Sequence, residues 1–221
     1  MSDNLAKVKE LRELTGAGIQ DCKIALSENN FDIEKSIEYL RKKGITKAAK
    51  KSSRDAAEGL AVIASNNSKA CILEINSETD FVAKNNEFIN FCSEVSKISL
   101  ANNFNLENLS NAKINNNLIK DELINLIAKI GENIKIRRIA YLENSKGVVA
   151  NYIHNQQSEN MGKIGVLISI DCENKDKVVL DFSRKICMHI APNTFPTTKI
   201  EPTASVNKRS ASKKCSGGMK K

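Results

Sequence analysis

The absences in this 221-residue chain narrow its reading first. No run of about 18 apolar residues occurs, which excludes a membrane-spanning helix. The first residues carry Asp3, Lys7, Lys9 and Glu10 and lack an apolar signal core, so nothing there points to secretion. Cys22, Cys71, Cys92, Cys172, Cys187 and Cys215 form no Cys-x-x-Cys pair, and only His154 and His189 could join them as metal ligands. Neither a disulfide framework nor a metal site is expected, and a reducing compartment, the cytoplasm, is. Proline is confined to positions 192, 196 and 202. No glycine-rich phosphate loop runs into Lys-Ser or Lys-Thr; Gly16-Ala17-Gly18 is too short and reads as a tight turn between helices. No constellation suited to acid–base or nucleophilic catalysis appears, so neither enzyme chemistry nor a cofactor is expected.

Excess charge is also scarcer than it looks. The net charge is +8, but residues 192–221 hold seven Lys or Arg and one Glu, which is +6 and leaves +2 for the rest. The basic balance belongs to the tail and is a poor ground for nucleic-acid binding by the body.

What is present reads as an α+β chain. Residues 1–44 form a three-helix module. Leu5, Val8, Leu11 and Leu14 give its first helix an apolar stripe, and Ile19, Cys22, Ala25 and Leu26 mark the second. The third opens at Asp32 as N-cap, buries Ile33, Ile37 and Leu40, and closes at Gly44 behind Arg41-Lys42-Lys43. Residues 45–57 read as a basic linker. Residues 58–143 and 144–191 then form two related hairpin–helix subdomains. Gly59–Ala101 runs strand, polar loop, apolar strand, helix, and Gly147–Ala191 repeats that order. In the second copy the polar loop covers Asn155–Gly162, and the helix is expected to bury Val179, Phe182, Ile186 and Ile190. A further helix (Ile119, Leu123, Leu126, Ile127, Ile130) and an alternating strand from Ile134 complete the first copy alone. Asn102–Asn117 reads as a surface loop, and 192–221 as a disordered basic tail.

One stretch stands out. The strand Ala70–Ile75 leads into Ser77-Glu78-Thr79-Asp80-Phe81-Val82-Ala83-Lys84-Asn85, ahead of a helix marked by Phe88, Phe91, Cys92, Val95 and Ile98. Asp80 suits the N-cap of one helical turn that Phe81 begins. Pattern alone leaves two readings open: Phe81 folds into the core, or it stands on a rigid tip that enters a partner.

Thr79–Asn85 resembles the signature of the elongation factor Ts family, and two further stretches are similar to it. They are Val8–Gly18 with Asp21-Cys22-Lys23, and Lys129–Ile134 with Arg137-Arg138. The resemblance is visible over about residues 5–191. It implies a guanine nucleotide exchange factor in translation elongation that binds elongation factor Tu, GDP-bound or nucleotide-free. It implies a UBA-like N-terminal module and no membrane or direct nucleic-acid partner. By resemblance, Phe81 is a wedge, Asp80 and Val82 belong to its tip, and Arg12, Ile19 and Lys23 dock the module. Ile130 and Gly131 support the same surface, and His154 ends a Tyr-x-His strand that lies near the partner. Where relatives have a second Met after Thr-Gly-Ala-Gly, this chain has Gln20. Relatives also supply a helical hairpin and a closing strand region beyond the second copy. The second subdomain is therefore expected to be incomplete and labile, exchange to be weakened, and self-association through that hairpin is not expected. Two rival readings stay open: a basic RNA-binding protein using Arg137-Arg138 and the tail, and a non-exchanging adaptor.

Overall fold

The computed structural model describes residues 2–66, 68–114 and 116–193. The chain is α+β. It opens with three helices, α1 (Ser2–Thr15), α2 (Ile19–Glu28) and α3 (Ile33–Lys51). Their shared core is Val8, Leu11, Cys22, Ala25 and Leu26, flanked by Ile33 and Leu40. Leu5 and Leu14, expected in the same stripe, are exposed, and so are Ile19 and Ile37, the latter expected to be buried by the third helix. Asp32 caps α3 as expected, accepting a hydrogen bond from Lys35 N at 3.0 Å.

Gly44 does not end α3. The helix continues to Lys51, so most of the basic segment read as linker is helical. The reason lies in packing: α3 crosses a later helix at Gly44, and Ala48, one turn on, packs against the main core.

The first hairpin pairs β1 (Glu58–Ser65) with β2 (Lys69–Ser77), antiparallel from Glu58↔Ser77 to Ser65↔Ala70. A short 3-10 turn, Val82–Lys84, then leads into α4 (Asn86–Asn102). The Asn-rich connector is more ordered than its composition suggests. It contains α5 (Leu106–Ser110), capped by Asn105, and the small ribbon β3 (Lys113–Ile114) and β4 (Asn117–Leu118), and it buries Leu109 and Ile114. Next come α6 (Ile119–Ile130), β5 (Lys135–Glu143), β6 (Gly147–Ser158), β7 (Met161–Asp171) and α7 (Lys177–Ile190). The second hairpin is longer than expected, because β6 takes the first half of the residues read as loop, β7 takes Met161 and Gly162, and the chain turns only at 159–160.

Both hairpins join one antiparallel sheet in the order β5-β2-β1-β7-β6. The junction is narrow, Ala61↔Gly162 and Val62↔Met161. Beyond it the sheet curls so that the second hairpin lies on the back of the first. Ile63, Ala70, Val149 and Leu167 form a core there, and a Cβ on Gly165 would come within 2.6 Å of Ile72 Cδ1. Helices α4 and α6 cover the outer face of the first hairpin over Leu60, Val62, Leu73, Ile75, Phe88 and Val95. Helix α7 covers the second over Ala150, Val166, Ile168 and Cys187.

The second copy packs one apolar face against the first hairpin and the other under α7, and β6 is left as a free edge among the described residues. Phe182 is not buried but 60% exposed, because the inward face of α7 runs through Val179, Ser183, Cys187 and Ile190. The tail reading of 192–221 falls outside the described residues, apart from the 3-10 turn Ala191–Asn193.

Candidate functional site

The tip is built between two fixed posts. On the upstream side, β2 ends at Ser77, whose hydroxyl donates to Thr79 O at 2.9 Å. Thr79 is held twice more: its N–H donates to Glu132 Oε2 at 2.9 Å and its hydroxyl to Glu132 Oε1 at 2.7 Å. Glu78 Oε1 accepts from the Asn133 N–H at 2.6 Å, and its other oxygen lies 3.5 Å from Arg54. On the downstream side, the side chains of Val82 and Ala83 are in the core, 4% and 1% exposed. The 3-10 turn closes with Lys84 N to Phe81 O at 3.1 Å and Asn85 N to Val82 O at 2.9 Å. Asn85 then caps α4, accepting from Glu87 N at 2.8 Å.

Between the posts only Asp80 and Phe81 face outward, and Phe81 is 76% exposed. A phenyl ring left in water on an anchored turn is an apolar group without a partner in its own chain. The ring is therefore not part of the core.

One expectation about the tip changes. Asp80 is not the cap: the 3-10 turn begins at Val82, carries no capping side chain, and Asn85 caps the helix that follows. Val82, placed at the tip, has its side chain buried in the core and anchors the turn.

Behind the tip, the three stretches singled out in the sequence converge. The turn between α1 and α2 reaches the last turn of α6, where Gly16 packs against the Lys129 side chain. The Lys129 ammonium in turn pairs with Glu87 in the first turn of α4. Gly131 ends α6 in the left-handed region (φ 87°), a conformation that suits glycine, and its N–H bonds Ile127 O at 2.9 Å. Lys51, at the end of α3, donates to Gly131 O, and the Asn133 amide donates to Arg54 O at 2.7 Å. The end of α3, the α6–β5 loop and the tip are thus joined by hydrogen bonds.

Arg12 and Lys23 are exposed on α1 and α2, Ile19 opens α2 beside the Gly16–Gly18 turn, and Ile130 is half-buried. His154 lies on β6 opposite Ile164, its ring 3.4 Å from the Tyr152 hydroxyl. Thr79, Glu132, Asn133 and Asn85 were not singled out as site residues. Asn85 had a readable signal, an Asn directly before an amphipathic run. Glu132 had none, since its partner is 53 residues away.

A cleft of about 860 Å³ separates the three-helix module from α4 and α6, lined among others by Arg12, Asp21, Lys43, Glu87 and Lys129. Its charges largely satisfy one another: Asp21 lies 2.9 Å from both Lys43 and Lys47, and Lys129 pairs with Glu87. The two lysines hold the Asp21 carboxyl below the usual carboxylate range, chiefly through the Lys47 hydrogen bond.

Among the described residues no group of three or more His, Cys, Asp or Glu could hold a metal ion, and no helix is long and apolar enough to cross a membrane. Burial pushes the thiols of Cys71 and Cys187 up to about 11, so they are poor nucleophiles at neutral pH. Arg137 and Arg138, the body's candidates for RNA contact, both pair with Glu74, the former at 3.0 Å.

Comparison with known proteins gives a consistent result. A family model described as elongation factor TS matches residues 78–210, which extends past residue 191. The chain is 48% identical over 202 residues to elongation factor Ts of Methylorubrum populi, covering 89% of this chain and 66% of the relative. It is 49% identical over 194 residues to that of Methylorubrum extorquens, covering 87% and 63%. It is 45% identical over 213 residues to that of Bartonella bacilliformis, covering 95% and 69%. The chain spans slightly less than two thirds of the length of the first two relatives.

Proposed function

This chain belongs to the elongation factor Ts family, and from that premise we propose that it is a guanine nucleotide exchange factor of translation elongation. Its partner in this reading is elongation factor Tu, in the GDP-bound or nucleotide-free state, and its compartment the cytoplasm. The observation that carries the reading is Phe81, an exposed ring on a turn anchored at both ends.

Exchange requires no bond to be made or broken in the factor. It is a coupling free energy: a protein that binds the nucleotide-free GTPase more tightly than the loaded one lowers nucleotide affinity by the same factor. A thousandfold faster release corresponds to about 4 kcal/mol of differential binding. A ring pushed between packed helices can supply this, because close-packed interiors switch arrangement rather than deform smoothly. The phosphate site is sensitive to such a push, since Mg²⁺ demands near-ideal octahedral geometry. Phe81 acts as the wedge in this proposal, and Asp80 flanks it. Arg12, Ile19 and Lys23 dock the UBA-like module, Ile130 and Gly131 back the tip, and His154 adds a contact from β6.

The RNA-binding alternative is weakened because Glu74 pairs with both Arg137 and Arg138, offsetting one of their two charges and occupying donors that a phosphate would need. Stopped-flow release of a fluorescent GDP from elongation factor Tu tests the proposal. Faster release with this chain is expected. Binding with an unchanged release rate would leave only the adaptor reading.

A further inference from the structure

The Lys129–Ile134 stretch contains chemistry that the wedge alone does not use. Its Glu132 carboxylate takes both donors of Thr79, the N–H and the hydroxyl, on its two oxygens at 2.9 and 2.7 Å. The next residue, Asn133, is 2% exposed and faces two ways, its N–H to Glu78 and its amide to Arg54 O. Ser77 satisfies the Thr79 carbonyl. Every polar group of Thr79, the residue immediately before Asp80 and Phe81, is therefore spoken for. The hydrogen bonds that Glu132 accepts go to a charged group, which makes them stronger than neutral ones.

We propose that Glu132 is the positioning residue of the exchange tip. By gripping Thr79 at two points it holds the exposed Phe81 ring in the one orientation that a partner meets, and Asn133 ties that orientation to the end of α3. The inference rests on the exchange reading above. Its physical basis is pre-organisation: a ring already fixed loses less freedom on binding, and a wedge that can swing aside transmits little of its binding energy. Gly131 sets up this grip, because its left-handed conformation turns the chain out of α6 so that residues 132 and 133 face the tip.

The test has two arms on the full chain. The first needs no partner. Backbone ¹⁵N relaxation of the wild type should show residues 79–81 as rigid as the strands, with order parameters of about 0.85. In Glu132→Ala they should fall below about 0.6 while β1, β2 and α4 are unchanged. Glu132→Gln, which keeps one acceptor, should fall between, and serves where the alanine variant does not fold. An equally rigid tip in both variants overturns the proposal.

The second arm measures GDP release from elongation factor Tu against factor concentration. Glu132→Ala should lower the maximal rate on the order of tenfold and leave the half-saturating concentration within about twofold, because the docking surfaces are untouched. Glu132→Gln should recover part of the loss. A wild-type maximal rate in Glu132→Ala, with Phe81→Ala slowed, overturns positioning and leaves the exchange reading intact. No acceleration by the wild type overturns the exchange reading itself, and the proposal with it.

Discussion

Where α3 crosses α6, Gly44 faces Ala128 with room for one methyl group: a Cβ at 44 would lie 3.7 Å from Ala128 Cβ and 3.7 Å from Ile124 Cγ2. Those are ordinary contact distances. Glycine inside a helix is less favourable than alanine by roughly 0.5–1 kcal/mol, through the backbone freedom it loses on folding. Gly44→Ala is therefore expected to stabilise the protein by about that amount, whereas Gly44→Leu overfills the crossing and destabilises by about 1–3 kcal/mol. Denaturant unfolding of the two variants checks both signs. A destabilised alanine variant would mean that the helices pack more tightly here than these distances indicate.

The tip allows function and stability to be separated. A fully buried Phe cut back to Ala costs about 3–5 kcal/mol. Phe81 is 76% exposed, so Phe81→Ala should shift stability by no more than about 0.5 kcal/mol. The same variant should release GDP from elongation factor Tu far more slowly than wild type. Thermal melts beside stopped-flow traces decide it, and a large fall in Tm would sink the wedge.

Much of this architecture was legible in the sequence because its signals are local. The two hairpin–helix units follow from period-two strands leading into helical stripes, and α6 from Ile119, Leu126, Ile127 and Gly131 at helical spacing. What escaped depends on distance or on context. Gly44 looked like a stop because a helix-ending glycine and a helix-crossing glycine are the same letter, and only the opposing Ala128 tells them apart. Leu109 and Ile114 were hidden in an Asn-rich run whose composition favours turns. The Phe182 error came from a stripe placed too far round the helix, since the packed face of α7 is centred on Ser183 and Cys187, small side chains that carry little apolar signal. The Glu132–Thr79 grip joins two motifs that each looked complete alone.

The cysteines should sort by burial. Cys22, Cys71, Cys92 and Cys187 are buried, and Cys172 is partly open to solvent. With its thiol pushed up to about 11, Cys71 has on the order of one part in a thousand as thiolate at pH 8 even before access is considered. A brief pulse of alkylating reagent on the native protein should therefore modify the Cys172 peptide and spare those of Cys71, Cys92 and Cys187, as read by mass spectrometry. Equal labelling of Cys71 and Cys172 would contradict the packing of α4 on the sheet.

The last prediction concerns pH and the three-helix module. Asp21 on α2 lies 2.9 Å from both Lys43 and Lys47 on α3, and those hydrogen bonds lower its carboxyl below the ordinary value of 3.8. A depressed carboxylate contributes stability that is fully present above its unfolded value and is lost as pH falls through the folded one. The pairs are partly exposed, so the whole contribution is on the order of 1 kcal/mol and salt-sensitive. Asp21→Asn should be less stable than wild type by a constant margin between pH 5 and 7. That margin should narrow once pH drops below about 4, where the wild-type carboxylate itself takes up a proton. Taking the difference between the two proteins at each pH cancels the other carboxylates, which titrate in both. Urea titrations from pH 7 to 3 measure the margin, and a margin that widens as the pH falls would mean that Asp21 is held by something other than its lysines.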